Sequence, residues 1–232
     1  MGKKVWWDAG HGGADPGAVG NGLKEKDLTL TLVAFAMAYL EKNYTGFEQR
    51  ATREKDVTVE LSKRDDGPDA WGADVFVSCH INAGGGTGFE SHVYTNPGNA
   101  AIALQNVLHG EVLAAMKPFG DIKDRGKKRS NFFVVRETKM PAILTENLFI
   151  DTAADANKLK NAAFLKAVGE AHARGVAKYL GLPEKRQDAP KAEPTTGKLY
   201  RVQVGAFSVK ANAEQLIKDL EAKGFKGAFI SE

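Results

Sequence analysis

The chain contains a single cysteine, Cys79, among 232 residues. No intrachain disulfide can hold it together, and nothing points to oxidative maturation. Long apolar runs are missing too: no stretch approaches the roughly 18 residues that a membrane-spanning helix needs. Met1-Gly2-Lys3-Lys4 leads straight into a strand-like segment, without the apolar centre and small-residue cleavage site of a secretory leader. The expectation is therefore a chain made soluble in the cytoplasm, wherever it acts later. Charge of one sign is scarce as well, since 32 basic residues against 29 acidic ones leave a net +3. That mild excess suits an anionic polymer without selecting one. What remains, 43% hydrophobic and 26% charged residues, is ordinary for a globular protein with a buried core.

The segment around which the rest is arranged is Val5-Trp6-Trp7-Asp8-Ala9-Gly10-His11-Gly12-Gly13. A buried strand stops at an acid, and a histidine follows among glycines that let the backbone turn and come close to a neighbour. Strand ends of this kind are where open α/β sheets bind ligands. From Glu25 the apolar residues Leu28, Leu32, Phe35, Ala36, Tyr39 and Leu40 recur at helical spacing. Glu25 and Asp27 sit in the first turn, where carboxylates complement the helix dipole. Glu25 thus has a sufficient structural reason to be there, and also a position from which to face the His11 cleft.

Further along, 47–51 reads as a short strand. Residues 57–70 read as a helix broken or kinked at Gly67-Pro68, and 74–81 as a buried central strand. Strand alternation sends Cys79 and His80 to opposite faces, so they cannot share one metal ion without a bulge, while Asn82 shares the face of His80. Residues 88–94 read as a strand and 100–116 as a long helix, with His109 at its surface or boundary. The basic segment 121–129 reads as a loop, 131–136 and 142–149 as strands, and 153–180 as one long helix closed by Gly181 and Pro183. Glu146 lies on the otherwise apolar 142–149 run, an expensive place for a carboxylate unless it is paired or employed. His92 and His172 read as structural, and Arg53 and Arg64 as partners of carboxylates near the sheet end or of a substrate. The pattern predicts an α/β fold: a twisted, mostly parallel sheet flanked by helices over residues 1–182, a linker over 183–198, and a small βαβ appendage over 199–232. A piece below about 40 residues seldom buries enough surface to fold alone.

Zinc hydrolases place three protein ligands on the metal and keep one position open. His11, Glu25 and His80 could supply the three, with Glu146 free as general base, although spacing alone does not single this set out. Asp8 could orient a ligand or merely serve as a strand-end turn acid.

These residues do, however, carry a resemblance. Asp8-Ala9-Gly10-His11-Gly12-Gly13, Asp15-Pro16-Gly17-Ala18, Glu25, Thr52-Arg53, Leu61 with Arg64, 78–83 (Ser-Cys-His-Ile-Asn-Ala) and 141–146 (Pro-Ala-Ile-Leu-Thr-Glu) follow one another in order. Over residues 3–182 the chain resembles the zinc-dependent N-acetylmuramoyl-L-alanine amidases of the type 3 family, including endolysins. The resemblance implies hydrolysis of bacterial peptidoglycan between N-acetylmuramic acid and L-alanine. It implies Zn2+ held by His11, Glu25 and His80, with Glu146 as catalytic acid/base. Two departures stand out: 65–69 (Asp-Asp-Gly-Pro-Asp) replaces continuous helix, and Asn147-Leu148 stands where a small or β-branched residue and a glycine are commoner.

The tail from Tyr200 to Phe207 with its following helix resembles the first half of a SPOR domain, a family that binds peptide-stripped glycan strands. The partner expected is bacterial peptidoglycan. Nucleic acid is not expected, because the basic loop has no interleaved aromatics, and neither is a membrane; oligomeric state is left open. Two other readings compete, a zinc peptidase cutting within the stem peptide and a non-catalytic peptidoglycan-binding protein. The expected setting is synthesis in a phage host or a mother cell without a signal peptide, with action on the wall after release.

Overall fold

The computed structural model describes residues 2–185, 203–225 and 228–230. The chain divides into two compact units, residues 1–186 and 187–232. In the first, the elements in order are β1 (Lys3–Ala9), a small hairpin of β2 (Val19–Gly20) and β3 (Leu23–Lys24), α1 (Glu25–Asn43), β4 (Phe47–Ala51), α2 (Lys63–Trp71), β5 (Val75–Asn82), β6 (Phe89–Val93), α3 (Asn99–Met116), β7 (Asp124–Arg129), α4 (Phe133–Arg136), β8 (Ala142–Phe149), α5 (Ala153–Leu159) and α6 (Ala162–Leu180). Six strands form one sheet in the order β4-β1-β5-β8-β6-β7. Neighbours run parallel except β6 against β8. The expected α/β architecture, a mostly parallel sheet between helices, is what the chain adopts. No helix among the described residues is long and apolar enough to cross a membrane.

Period-two alternation divides each central strand between two cores. Trp7, Val77, Cys79 and Ile143 face a large cluster closed by α1, α3 and α6 through Leu32, Leu108, Phe164 and Val168. Trp6, Phe76 and Leu144 face the other way and meet Val134 and Val135 of α4 in a smaller cluster. Each fully buried aliphatic or aromatic side chain here contributes about 1.5–3 kcal/mol. The smaller cluster covers only the beginnings of the strands. Toward the strand ends the same face carries Asp8, Ser78, His80 and Glu146 instead of apolar residues, and it is there that the site lies.

Several elements differ from the sequence expectation. The 57–70 helix starts only at Lys63, because the preceding residues are engaged elsewhere: Asp56 Oδ1 accepts from Gly13 N at 2.7 Å and Thr58 Oγ1 from Ala14 N at 3.0 Å. Pro68 lies inside α2 without breaking it, and the helix ends at Gly72. The basic segment read as a loop is the edge strand β7, where the exposed Lys127 and Arg129 suit an unpaired edge. The β-branched run at 131–136 is a short helix, since β7 already occupies that edge and Val134 and Val135 are both needed over the smaller core. The last long helix is two, because Asn161 accepts from Ala163 N at 2.9 Å and caps α6.

His109 is buried, not superficial, with Nδ1 2.8 Å from Ser91 Oγ and Nε2 3.0 Å from Asp124 Oδ1. His172 is fully buried between the Val168 carbonyl and Thr145 Oγ1. Burial pushes its imidazole down to about 4, although the Val168 carbonyl favours the protonated form. The unfolded chain takes up this proton near pH 6.5, and the folded one only near 4. This contribution to stability is therefore complete above pH 6.5 and lost as the pH falls toward 4, amounting to on the order of 3 kcal/mol. Denaturant titrations at pH 7 and pH 4.5 are expected to show a shallower stability loss in His172→Gln than in the parent. Equal slopes would remove His172 as a source of acid sensitivity.

In the second unit α7 (Lys210–Ala222) forms as the spacing of Ala213, Leu216, Ile217 and Leu220 predicts, with none of its residues buried. Residues 203–207 and 228–230 carry no strand, so the flanking strands of the expected βαβ unit are not found among the described residues. The linker from 186 on, and Leu199–Val202 of the first expected strand, lie outside the described residues.

Candidate metal centre

β1 ends at Ala9, and Gly10 turns the chain across the end of β5. A Cβ on Gly10 would lie 2.3 Å from Cε1 of His80, so only glycine lets the two segments approach this closely. Gly17 does the same from the other side. At φ 63° a Cβ there would stand 2.6 Å from both Glu25 Oε2 and His11 Cδ2. Between these glycines His11, Glu25 and His80 converge, each offering a ligand atom within 4.8 Å of the others. Glu25 is the first residue of α1 and lies between the two imidazoles. Its Oε2 is 3.2 Å from His11 Nε2, and its Oε1 2.9 Å from His80 Nδ1. The backbone N–H groups of Ala18 and Ile81 donate to the same carboxylate at 2.8 and 3.0 Å.

The electrostatics match a cation-shaped site. The hydrogen bond to Glu25 raises His11 to about 9 against the opposing effect of burial. Burial pushes the Glu25 carboxyl up, yet the bonds from His11 and His80 outweigh it and hold it well below the usual carboxylate range. Because a histidine binds a metal through its deprotonated nitrogen, metal loading here would release protons from the raised imidazoles. Two half-buried imidazoles converging on one buried carboxylate are a donor set suited to zinc.

Glu146 stands beside this cluster. It pairs in register with His80 on one side and Glu90 on the other, so the three side chains share a face of adjacent strands. Its Oε2 is buried and has no hydrogen-bond partner among the described residues. Burial pushes its carboxyl up to about 7, with Glu25 and Glu90 adding to the rise and His80 and His11 opposing it. Directly after it the β5–β8 register slips: His80 opposes Glu146, but Asn82 opposes Phe149. The bulge places Leu148 at φ 72°, a conformation that costs a non-glycine residue about 1–2 kcal/mol. Leu148 is fully buried, and its burial offsets that cost. Glycine, commoner at this point in the amidases that the sequence resembles, would adopt the turn freely.

A family model described as N-acetylmuramoyl-L-alanine amidase matches residues 5–178. The chain belongs to this amidase family. The sporulation-specific N-acetylmuramoyl-L-alanine amidase of Bacillus subtilis strain 168 is 46% identical over 222 residues, which span 96% of this chain and 82% of that one. The endolysin of Bacillus phage SPP1 is 46% identical over 208 residues, 87% of this chain and 76% of its own. Among solved structures, the catalytic domain of CwlV from Bacillus (Paenibacillus) polymyxa var. colistinus superposes with a TM-score of 0.72. It is 34% identical, covering 78% of this chain and 99% of that domain. An amidase from Clostridium difficile 630 gives a TM-score of 0.73 at 30% identity, covering 78% of this chain and 97% of that one. A SPOR domain model matches residues 186–232. The family's bond is the amide joining N-acetylmuramic acid to L-alanine in peptidoglycan.

Of the residues singled out in the sequence, His11, Glu25, His80 and Glu146 are thus gathered at one point of the amidase fold. Asp8 is elsewhere. It does not touch the His11 ring, but is fully buried against Arg64 Nη1 at 2.7 Å and Ser78 Oγ at 2.6 Å. The group that orients His11 is Asp15, whose Oδ2 lies 2.8 Å from Nδ1. Asp15 belongs to the Asp15-Pro16-Gly17-Ala18 segment that carries part of the resemblance, and its spacing of four from His11 was the available clue to this contact. The two arginines left open are clamps on the loop. Arg64 Nη2 donates to the His11 carbonyl at 2.6 Å, while Arg53 donates to the carbonyls of Ala9, Gly10 and Lys26 at 3.0, 2.9 and 2.7 Å. They hold His11 at φ 60°, a left-handed conformation that needs such support. His92, for which the sequence suggested no partner, meets Ser130 Oγ at 2.8 Å and Glu90 Oε1 at 3.3 Å.

Proposed function

We propose that this amidase is a zinc hydrolase in which His11, Glu25 and His80 hold the metal and Glu146 is the acid/base. The observation that carries the reading is the convergence of three groups able to ligate a metal beside a carboxylate whose buried Oε2 has no hydrogen-bond partner among the described residues. A zinc ion held there supplies Lewis-acid activation of water and of the scissile carbonyl. Glu146 takes the proton of the attacking water at Oε2 and passes it to the nitrogen of L-alanine as the carbon–nitrogen bond breaks. The products are a muramic acid carboxylate and a free L-alanine amino group. Burial, which raises this carboxyl, favours its taking up the proton before passing it on. Asp15 keeps the His11 ring turned toward the site by holding Nδ1. The relatives named as a sporulation amidase and an endolysin support action on the wall after release from the cell that makes the enzyme, and the SPOR match supports a tail that contacts glycan.

Digestion of purified peptidoglycan tests this reading. New L-alanine amino termini on intact glycan are expected, lost with a chelator and restored by zinc. Cleavage inside the stem peptide would favour a peptidase, and full hydrolysis by a metal-free sample would end the zinc reading.

A further inference from the structure

A second charged cluster adjoins the centre and takes no part in the chemistry above. Glu90 is buried on β6, next to Glu146 across the sheet. Its Oε2 accepts from Arg125 Nε at 2.6 Å and from Lys128 Nζ at 2.5 Å, while Asn82 Nδ2 donates to Oε1 at 2.9 Å. Burial pushes this carboxyl up, but the two cations outweigh it and hold it near 2, so Glu90 is ionised. Two cations meet on this one carboxylate, on the same face of the sheet as the centre and beside Glu146. Arg125 is partly exposed, with 26% of its side chain accessible. Its guanidinium lies over the Phe149 ring, 4.7 Å from the ring centroid. Face and Nε are therefore occupied, whereas the two Nη nitrogens donate to no group among the described residues. Those two form the edge that receives a carboxylate in a bidentate pair.

The scissile bond indicates whose carboxylate this is. The lactyl carboxyl of muramic acid is consumed in the amide, and the rest of the glycan is hydroxyls and acetamides. Free carboxylates lie on the peptide. Strands are spaced about 4.8 Å apart and an extended peptide advances about 3.3 Å per residue. A guanidinium over β8, reached from β7, thus faces a carboxylate within about two to four residues of the cut bond.

We infer that Arg125, positioned by Glu90, is a specificity residue that binds a free carboxylate of the stem peptide on the leaving-amine side. The peptide accordingly runs toward β7 and the glycan toward β1. This rests on the amidase reading, and its test separates the two. The zinc-loaded full chain is given soluble muropeptides with one glycan and one peptide sequence, every peptide carboxyl free in one set and amidated in the other. The parent is expected to prefer the free acid by about 10- to 100-fold in kcat/KM, chiefly through KM. Arg125→Ala should bring that ratio close to one, and Arg125→Lys, which keeps the charge but loses the fork, to an intermediate value. Calorimetric titration with the two free stem peptides should show the same order of discrimination. A parent ratio near one, or a preference that survives Arg125→Ala, would overturn the inference while leaving the amidase reading intact. Failure of the parent to cut either substrate would sink the amidase reading, and the peptide titrations would still decide Arg125. If Arg125→Ala does not melt cooperatively, Arg125→Lys decides: an unchanged ratio there overturns the proposal.

Discussion

Glu146→Gln is expected to lower turnover by about 10²–10⁴-fold with the zinc content of the purified protein unchanged. The glutamine keeps the shape and the strand register, and the three proposed metal ligands come from other segments. What it removes is the carboxylate to which the proposed mechanism assigns the proton transfer from water to the departing amine, the carboxylate whose buried Oε2 has no hydrogen-bond partner among the described residues. Because that exchange occurs only on the way to the transition state, the fall should appear in kcat and kcat/KM together, with KM nearly unchanged. Metal analysis and steady-state kinetics on soluble muropeptides check both halves. Near-parental turnover would take Glu146 out of the mechanism, and a loss accompanied by metal loss would make it a structural support of the centre instead.

The candidate centre was legible in the sequence through the ordered motifs of the resemblance, because spacing alone did not single its residues out. His11 follows β1, Glu25 begins α1 and His80 lies near the end of β5, and the fold brings the three together. Glu146 was conspicuous as an acid on an apolar strand. What sequence pattern could not supply is how polar side chains far apart in the chain support the His11 loop. Asp8 could have oriented a ligand or merely ended the strand in a turn, but strand alternation turns it into the sheet face, where it pairs with a residue 56 positions away, Arg64. The same limit explains the helix predicted at residue 57, whose first turn is drawn out by hydrogen bonds to the glycine loop. It also explains 131–136, where local β propensity yields to the shortage of apolar cover over Trp6, Phe76 and Leu144.

Asp8→Ala is expected to destabilise the catalytic unit by about 3–5 kcal/mol. Asp8 is wholly buried, and its loss leaves the Arg64 guanidinium and the Ser78 hydroxyl without their shared acceptor. For a unit of this size such a loss lowers Tm on the order of 10 °C. The local consequence separates this pair from an ordinary buried ion pair. Arg64 also donates to the carbonyls of Ala9 and His11, at 2.9 and 2.6 Å, and so fixes the left-handed backbone that presents the His11 ring to Glu25. The double variant Asp8→Leu, Arg64→Met removes both charges, and it should recover a large part of the lost stability. It should not recover zinc affinity, because nothing then holds the His11 carbonyl. Thermal denaturation and competitive zinc titration of the two variants check the division: a double variant that regains stability but binds zinc as the parent does would show that the ion pair serves the fold alone.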